Sequence, residues 1–517
     1  MAEDVLTGAE SLVLAAAQSG VRVCFANPGT TEMPLVAALD RVPGIRAVLG
    51  LHENVCTGAA DGYARITGHA AMTLLHLGPG LANGLANLHN ARRANTPLVN
   101  VVGDHTSWHL PFDAPLTSDI AALAATVGTV HHVTDRAGVA ATTTGAIAEA
   151  HQRRGVSTLI VPADHQQATA PRSQADLAPH ARRPIVAVDH LEEVAQRLRD
   201  AQRPLFLLGG NALTRIGQQA AGMIAAATGA ALHCETFPAR VDRGGGLPAI
   251  DRLPYFPETA AAVLSEADVV VVAGAEDPVA YFGYEGVPSV LTAPGTLARL
   301  AHPIEDAEQA LVELADLIGA TTPIAATAPE TAPPDDTETL TGRVIGRVVA
   351  ACLPDDAIVS IEGGTSGYPF YTESASAVTH TVMTNTGGAI GQGLPCALGA
   401  AIAAPHRPVI ALQSDGSGLY TAQALWSMSR ERANVIVLIA ANHTYNVLRT
   451  ELGRHGNAEF GSQAEALTSL ADPCVDWVAL AAGFGVPAVR AVTVADLRKA
   501  LTDAAATGGP HLVEMAL

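Results

Sequence analysis

Asp415 and Asn442 are two oxygen-bearing residues that each follow an apolar run typical of a buried strand, Val409–Gln413 and Val435–Ala440. Their spacing of 27 residues fits one strand–helix–strand crossover, with the helix predicted over Leu419–Glu431. Both side chains would then lie at the carboxyl ends of neighbouring parallel strands. Carboxylate and amide oxygens are ligands that Mg²⁺ and Ca²⁺ prefer, often shared with substrate phosphates. The pattern predicts a divalent-cation site, and the alternative is an ordinary turn with Asp415 as a helix cap.

Glycine-rich segments surround this candidate cation site in the sequence. Glu362-Gly363-Gly364-Thr365 follows the predicted strand Ala357–Ser360, and residues 386–395 read TGGAIGQGLP. Gly416 directly follows Asp415. Glycine lets a phosphate approach the backbone, and the N-terminus of a helix attracts the phosphate charge. A plain glycine-rich turn is the alternative for residues 386–395, because the chain contains 48 glycines.

The order of these segments resembles the cofactor site of the thiamine diphosphate enzymes, in which Gly-Asp-Gly is followed one crossover later by Asn-Asn. The match is degenerate, because Ser414 replaces the first glycine and Ala441 the first asparagine. The resemblance implies that Mg²⁺ is held by Asp415, Asn442 and the backbone carbonyl of Thr444, with the diphosphate and one water completing the coordination.

The same resemblance implies further contacts to thiamine diphosphate. The backbone carbonyl of Gly388 would hold the 4′-amino group of the aminopyrimidine, and Ile390 would fold the cofactor into a V. Tyr445 would lie beside the diphosphate. The complete set of implied cofactor contacts is Gly364, Thr365, Gly388, Ile390, Asp415, Gly416, Ser417, Asn442, Thr444 and Tyr445.

Glu53 begins a predicted helix directly after a short apolar run, in the segment LGLHENVCTGAA. An acid stabilised by the helix dipole is one explanation of this position. The continuation Ala59–Arg65 resembles the first domain of the same family, which implies that Glu53 binds N1′ of the aminopyrimidine and drives the proton relay that activates the cofactor. A carboxyl in that position should have a raised pKa. The resemblance also implies a homodimer or homotetramer, because this glutamate reaches a cofactor held mainly by another subunit.

Two residues near the ends of predicted strands are candidates for the substrate side. Thr30, in FANPGTTEM, falls where benzoylformate decarboxylases have a substrate-binding serine, and His76, in LLHLGPG, falls where they have an active-site histidine. A histidine can move protons near neutral pH or bind a carboxylate. A histidine that is merely hydrogen-bonded at a strand end is the alternative for His76.

Four further residues are expected to line the substrate pocket: His105, Phe282, Val447 and Leu448. Phe282 falls where benzoylformate decarboxylases have a second histidine, and the segment Val447–Glu451 lacks their aromatic side chain. Both departures put proton donation and aryl substrates in doubt, which favours capture of the intermediate by a second carbonyl. His105 and His109 have the spacing of helical metal ligands, but no third ligand accompanies them, so zinc is not predicted.

The leading interpretation is therefore a thiamine diphosphate-dependent, acetolactate synthase-like enzyme that decarboxylates a 2-oxo acid, transfers the resulting group to a second carbonyl, or does both. A benzoylformate-type decarboxylase is the first alternative. A cofactor-binding protein without turnover is the second, because Ser414 and Ala441 depart from the family pattern. FAD is not expected, since Leu207–Asn211 is only a glycine turn and no dinucleotide fingerprint is present. A serine hydrolase is excluded, because no GxSxG occurs.

Short β-branched runs that alternate with Ala- and Leu-rich helical stretches must position these residues. Continuous apolar runs predict strands covered on both faces, and hence parallel sheets in an α/β fold. Two Pro-rich stretches, Gln166–Pro184 and Ala320–Thr339, are predicted linkers. We expect three doubly wound parallel-sheet domains: a pyrimidine-binding domain (1–165), a middle domain (185–320) and a diphosphate-binding domain (340–517).

Composition limits the partners and the setting. The 517-residue chain has a formal charge of −20, which disfavours nucleic acid and anionic membranes. Its single lysine, Lys499, excludes a Walker-type nucleotide site and a pyridoxal Schiff base. Six cysteines without a CxxC pair, no signal peptide and no apolar run of membrane-spanning length together predict a cytoplasmic protein that acts on a small molecule.

Overall fold

The computed structural model describes residues 6–170, 182–323, 334–454, 456 and 460–517. Its three large sheets confirm the predicted fold class, three parallel-sheet α/β units. The three predicted strands Ala357–Ser360, Val409–Gln413 and Val435–Ala440 are all present, and each extends one residue beyond the prediction. Among the described residues, no helix has the length and apolarity that crossing a bilayer requires.

The first unit is a six-stranded parallel sheet in the order β3-β2-β4-β5-β7-β6, with a separate antiparallel pair, β1 and β8. Its elements are β1 (Leu6–Thr7), α1 (Gly8–Gln18), β2 (Val23–Asn27), α2 (Met33–Arg41), β3 (Arg46–Leu49), α3 (Glu53–Thr67), β4 (Ala71–Leu75), α4 (Leu77–Arg93), β5 (Leu98–Asp104), α5 (Ile120–Ala125), β6 (Gly128–His132), α6 (Val139–Arg153), β7 (Val156–Pro162), α7 (Ala163–Gln167) and β8 (Thr169–Ala170).

The middle unit is a five-stranded parallel sheet in the order β12-β10-β9-β13-β14. Its elements are α8 (Val188–Asp200), β9 (Pro204–Leu208), α9 (Arg215–Thr228), β10 (Ala231–Cys234), β11 (Val241–Arg243), β12 (Asp251–Arg252), α10 (Pro257–Ser265), β13 (Val269–Ala273), β14 (Leu297–Ala301) and α11 (Ala307–Leu317). Strand β11 leaves this unit and pairs with the sheet of the third.

The third unit is a seven-stranded sheet in the order β11-β16-β15-β17-β18-β20-β19, parallel except for the edge strand β11. Its elements are α12 (Gly342–Ala351), β15 (Ala357–Ile361), α13 (Gly364–Glu373), β16 (His380–Thr384), α14 (Gly393–Ala403), β17 (Val409–Ser414), α15 (Asp415–Gly418), α16 (Ala424–Glu431), β18 (Val435–Ala441), α17 (Asn446–Arg454), α18 (Ser462–Thr468), α19 (Trp477–Gly483), β19 (Ala488–Ala491), α20 (Val494–Thr507) and β20 (His511–Ala516).

Helix α3 packs on helix α14 and joins the first unit to the third. The crossing is tight: a Cβ on Gly62 would lie 2.2 Å from the carbonyl oxygen of Cys396, and one on Gly399 would lie 1.9 Å from that of Ala59. Glycine at these positions lets the two backbones touch. The helix that begins at Glu53 is therefore fixed against the third unit of the same chain.

Parts of both predicted linkers belong to the folded units, which corrects the prediction. Gln166 is buried at the end of α7 and donates a hydrogen bond to the Val161 carbonyl, and β8 pairs with β1. Thr339 forms an isolated antiparallel bridge with Thr493. Polar and Pro-rich composition misses such edge pairing, because the backbone makes the bonds. Residues 171–181 and 324–333, which include Pro171 and Pro179, lie outside the described residues, and the domain limits stay a prediction.

The predicted helix Leu419–Glu431 is also wrong in its first half. The chain forms the four-residue α15 directly after β17, then a 3₁₀ turn over Leu419–Thr421, and α16 only from Ala424. The turn packs closely on the core, because a Cβ on Gly418 would lie 2.9 Å from the buried ring of Trp477. The long helix at this edge of the sheet is instead α13, which begins at Gly364.

In the first and third units, successive strands are added first on one side of the initial strand and then on its other side, so the strand order reverses there. The reversal lies between β2 and β4 in the first sheet and between β15 and β17 in the third. Ligands of open α/β sheets bind in the crevice that such a reversal creates at the carboxyl ends of the strands. We call these the first crevice and the third crevice.

Candidate active site

Asp415 lies at the third crevice, directly after β17, and is buried. Its Oδ2 accepts a hydrogen bond of 2.6 Å from the backbone N–H of His443, and its Oδ1 accepts one of 2.9 Å from the N–H of Gly416. Burial raises the pKa of the Asp415 carboxyl, and the two N–H donors oppose that effect. The carboxylate is therefore held in place, but it has lost much of its hydration.

Asn442 lies beside Asp415, as its position after β18 predicts, because Ser414 and Ala440 are register partners. Its Oδ1 accepts a hydrogen bond of 3.1 Å from the backbone N–H of Thr444, and its Nδ2 lies 3.5 Å from Thr365 Oγ1. The hydroxyl of Thr444 donates to the carbonyl of Thr468 at 2.9 Å, which fixes the residue beside Asn442.

The backbone at the third crevice comes unusually close to its neighbours. A Cβ on Gly416 would lie 2.5 Å from the ring of Tyr445, and one on Gly363 would lie 2.6 Å from the backbone of Gln413. Tyr445 therefore lies against Gly416, and its contact with a diphosphate stays a prediction. Ser417 is turned inward, since its hydroxyl donates to Gln413 Oε1 at 2.9 Å.

The third crevice fits a magnesium diphosphate. Within the described residues, no group of three His, Cys, Asp or Glu side chains could hold a metal, so a cation at Asp415 needs neutral oxygens and an anionic ligand. Asn442, the Thr444 carbonyl and a diphosphate meet that need, and they are the hard oxygen donors that Mg²⁺ takes. Helix α13 starts at Gly364 in the same crevice, and its N-terminus favours an anion.

The segment 385–393 between β16 and α14, called the pyrimidine loop below, contains Gly388 and Ile390. Gly388 has φ +76°, and a Cβ there would meet nothing within 4 Å. The carbonyl of Gly388 accepts no hydrogen bond from the described residues, which leaves it available to an amino group. Glu362 fixes one end of the loop by accepting backbone hydrogen bonds from Gly391 (2.5 Å) and Gly393 (2.6 Å), and burial raises its pKa.

Glu53 begins helix α3 and is 9% exposed. Its Oε2 accepts a hydrogen bond of 3.0 Å from Asn83 Nδ2 on α4. A Cβ on Gly80 would lie 3.2 Å from Glu53 Oε1 and 3.4 Å from His76 Cβ, so the glutamate and the histidine lie on either side of this glycine. The structure thus brings together the two predicted catalytic residues of the first crevice.

His76 ends strand β4, and its ring is bound to a buried acid. Nδ1 lies 2.8 Å from Oε2 of Glu32, whose side chain is fully buried. The next residue, Leu77, has φ +51°, a strained conformation for a bulky residue. The Nδ1 contact fixes the orientation of the imidazole and favours the tautomer whose other nitrogen, Nε2, is free to accept a proton.

Thr30 is exposed at the start of a short 3₁₀ helix after β2. Its neighbour Thr31 makes the contacts: the hydroxyl lies 3.2 Å from His76 Nδ1 and 2.6 Å from Glu32 Oε1. The contact with His76 is therefore made by Thr31, and the role of Thr30 stays a prediction.

The four predicted pocket residues differ in their placement. Val447 and Leu448 are 60% and 48% exposed on α17, directly after Tyr445. Phe282 is exposed in the irregular segment after β13, and His105 follows β5, with its ring 5.6 Å from that of His109. Contacts among these residues do not join them into one pocket within a single chain.

Sequence reasoning missed Glu32 and Asn83, the partners of His76 and Glu53. Both stand in quoted or adjacent segments, FANPGTTEM and LGPGLAN, but their contacts bridge 44 and 30 residues. A buried acid within a turn of polar residues, as in Thr30-Thr31-Glu32, was the available signal.

Two family descriptions match the chain. "Thiamine pyrophosphate enzyme, N-terminal TPP binding domain" matches residues 6–123, and "Thiamine pyrophosphate enzyme, C-terminal TPP binding domain" matches residues 368–515. The first range contains Glu53 and His76, and the second contains Gly388, Asp415 and Asn442.

Similar proteins extend over the whole chain. A Mycobacterium tuberculosis protein named "Putative acetolactate synthase large subunit IlvX" is 46% identical over 99% of both chains. A benzoylformate decarboxylase of Pseudomonas aeruginosa is 29% identical over 96% of both. The solved structure of a thiamine diphosphate-dependent 4-hydroxybenzoylformate decarboxylase from Rhodococcus jostii RHA1 superposes with a TM-score of 0.87 at 26% identity, covering 99% of each chain. The chain therefore belongs to the thiamine pyrophosphate enzyme family, as its two crevices and their residues indicate.

Proposed function

We propose that the protein uses thiamine diphosphate and Mg²⁺ to decarboxylate a 2-oxo acid. The carbon nucleophile that remains after the loss of CO₂ is then joined to a second carbonyl, as acetolactate synthases do. The observation that carries this proposal is the division of chemistry between the crevices: an oxygen-lined anion site at Asp415 and Asn442, and proton-handling groups at Glu53 and His76. The similarity to a protein named as an acetolactate synthase large subunit supports the carboligase assignment.

Thiamine diphosphate supplies an electron sink for the carboxylate's electrons when it is bound. In the proposal, Asp415, Asn442 and the Thr444 carbonyl hold Mg²⁺, and the N-terminus of α13 at Gly364 and Thr365 holds the diphosphate. The carbonyl of Gly388 accepts a hydrogen bond from the 4′-amino group, and Ile390 supports the ring. These groups orient the cofactor and exclude water from it.

Glu53 exchanges a proton with N1′ of the aminopyrimidine, and Asn83 keeps its carboxyl in place. His76, oriented by Glu32, moves a proton to or from the substrate oxygen or carbon. No hydrogen bond joins Glu53 or His76 to the Asp415 site in the described part of the chain. The proposal keeps the homodimer or homotetramer that the family resemblance implies, in which Glu53 of the partner subunit completes each site.

A benzoylformate-type decarboxylase is the second candidate. The Glu32–His76 pair favours it, because an oriented imidazole can protonate the intermediate in place of a second carbonyl. A silent cofactor-binding protein, which the departures at Ser414 and Ala441 suggested, is disfavoured because the proton-handling residues Glu53 and His76 are both retained. Six unpaired cysteines support a reducing, cytoplasmic setting.

Product analysis tests the proposal. The purified protein, with thiamine diphosphate and Mg²⁺, is given pyruvate or benzoylformate, each alone and with an added aldehyde. Acetolactate from pyruvate supports the synthase, and the free aldehyde supports the decarboxylase. No CO₂ from a panel of 2-oxo acids, with the cofactor shown to be bound, would refute both. Glu32→Gln should lower decarboxylation more than carboligation, because only the former must end with protonation by His76.

A further inference from the structure

Three asparagines of the first unit hold the pyrimidine loop of the third. Asn54 lies on α3, and Asn87 and Asn90 lie on α4; they are 5%, 0% and 0% exposed. Buried amides of this kind are costly unless every polar atom has a partner. We call this group the asparagine brace.

Asn90 binds both backbone polar groups of one loop residue. Its Nδ2 donates to the carbonyl of Ala389 at 2.8 Å, and its Oδ1 accepts from the N–H of Ala389 at 3.2 Å. The neighbouring backbone is just as close, because a Cβ on Gly387 would lie 2.4 Å from Asn90 Oδ1. Ala389 is the residue between Gly388 and Ile390, so its position sets theirs.

Asn87 continues the connection to the helix of the catalytic acid. Its Oδ1 accepts from Asn90 at 2.9 Å, and its Nδ2 lies 3.1 Å from the Gly391 carbonyl and 2.8 Å from that of Asn54. The backbone N–H of Asn87 donates to Asn54 Oδ1 at 3.0 Å. Because Asn54 directly follows Glu53, a continuous chain of hydrogen bonds connects the start of α3 to the pyrimidine loop.

We propose that the asparagine brace positions the pyrimidine loop for its ligand, and that Asn90 is the positioning residue that fixes the Gly388 carbonyl and Ile390 for the aminopyrimidine. This inference rests on the proposed function. A connected network of buried amides is rigid, since each hydrogen bond polarises and orients the next. The brace therefore preorganises the loop before the cofactor arrives and lowers the ordering that binding requires.

A purely structural role is the competing explanation, and the chain offers a matched control. Asn100 on β5 is equally buried, accepts from Thr73 at 2.7 Å and donates to Thr158 at 3.2 Å. Its partners are strand residues of the first sheet. Asn100→Leu removes a buried amide of the same kind without touching the loop.

The experiment compares wild type, Asn90→Leu and Asn100→Leu as full-length proteins of checked oligomeric state. Two quantities are measured: hydrogen–deuterium exchange of residues 385–393 without cofactor, and the dissociation constant of thiamine diphosphate at saturating Mg²⁺. Asn90→Leu should speed exchange in the loop and weaken cofactor binding by about tenfold or more, because Ala389 loses two buried partners. Asn100→Leu should do neither.

Unchanged loop exchange and affinity in Asn90→Leu would overturn the proposal, and so would equal losses in Asn100→Leu. If Asn90→Leu does not fold, Asn90→Asp decides, because it keeps the shape and one acceptor but cannot donate to the Ala389 carbonyl. Failure of the wild type to bind thiamine diphosphate would contradict the proposed function instead, whereas loop exchange in the unliganded protein still tests the brace.

Discussion

The first and third crevices share a topology but differ in chemistry. In both sheets the strand order reverses beside the first strand, between β2 and β4 in one and between β15 and β17 in the other. Polar residues lie where those strands end. The first crevice holds the acid–imidazole pair Glu32–His76 and the acid Glu53. The third holds close-packed glycines and the oxygen donors around Asp415. In the proposed function, the same fold serves proton transfer in the first unit and anion binding in the third.

The middle sheet has the same kind of reversal, and its loops pack differently there. At its reversal, between β9 and β13, the loops contact each other: a Cβ on Gly209 would lie 2.8 Å from Ala275, and one on Gly274 would lie 2.5 Å from the Gly209 carbonyl. The carboxyl of Glu235 at the end of β10 also interacts unfavourably with that of Glu276. The absence of FAD stays a prediction.

The largest effect should come from the first crevice. Glu53→Gln keeps the shape of the side chain but cannot exchange a proton with N1′. We expect kcat to fall by about 10²–10⁴-fold while cofactor affinity changes little. Steady-state kinetics and calorimetric titration with thiamine diphosphate measure the two effects. A fall in cofactor affinity as large as the fall in kcat would show that Glu53 mainly binds the cofactor. That result would contradict the assignment of proton transfer to the first crevice and binding to the third.

Asp415→Asn should give the converse result. Loss of the carboxylate charge should weaken Mg²⁺-dependent cofactor binding by about a hundredfold, with much of kcat regained at saturating cofactor. Titration with thiamine diphosphate at several Mg²⁺ concentrations measures this change. Asp476→Asn, an exposed helix cap in the same unit, is the control and should bind normally. Normal binding by Asp415→Asn would remove the cation site from the third crevice.

Mixing the two variants tests whether one active site takes its crevices from different subunits. A hybrid dimer of Glu53→Gln and Asp415→Asn would have one site with both changes and one with neither. At subsaturating cofactor, an equal mixture after subunit exchange should recover roughly a quarter of wild-type activity, since half of the dimers are hybrids with one intact site. If both crevices of a site came from one chain, every site would carry a change and nothing would be recovered.

Sequence alone predicted the functional residues that directly follow strands. It missed the residues whose side chains contact them from distant parts of the sequence. Asp415 and Asn442 were predictable because the crossover spacing of parallel strands fixes their neighbourhood. Glu53 was predictable as the start of a helix, but its role required the family resemblance. Glu32, by contrast, contacts His76 through a side chain that no local period or spacing marks.

Backbone pairing explains the other misses. β8, within a predicted linker, and β11, which crosses to another sheet, are each two or three residues long. Segments this short carry no readable alternation, and their stability comes from the strand on which they pair. The asparagine brace was missed for a similar reason. The spacing of Asn54, Asn87 and Asn90 in the sequence shows no pattern, and their contacts form only when α3, α4 and the loop pack together.

The smallest effect tests the middle sheet, where no ligand is proposed. Burial and the neighbouring Glu276 raise the pKa of Glu235 from its ordinary 4.5 to about 8. The folded protein therefore keeps a proton that the unfolded chain releases, so this residue makes stability fall as pH rises from about 4.5 to about 8. Glu235→Gln mimics the protonated form: its thermal midpoint should match the wild type at about pH 4, below both pKa values, and exceed it by a few degrees at about pH 8.5. Glu276→Gln should give part of that gain, because it removes one of the two causes. Differential scanning calorimetry at both pH values measures it, and equal midpoints near pH 8.5 would mean that these carboxyls are hydrated and that the middle reversal is open to ligands after all.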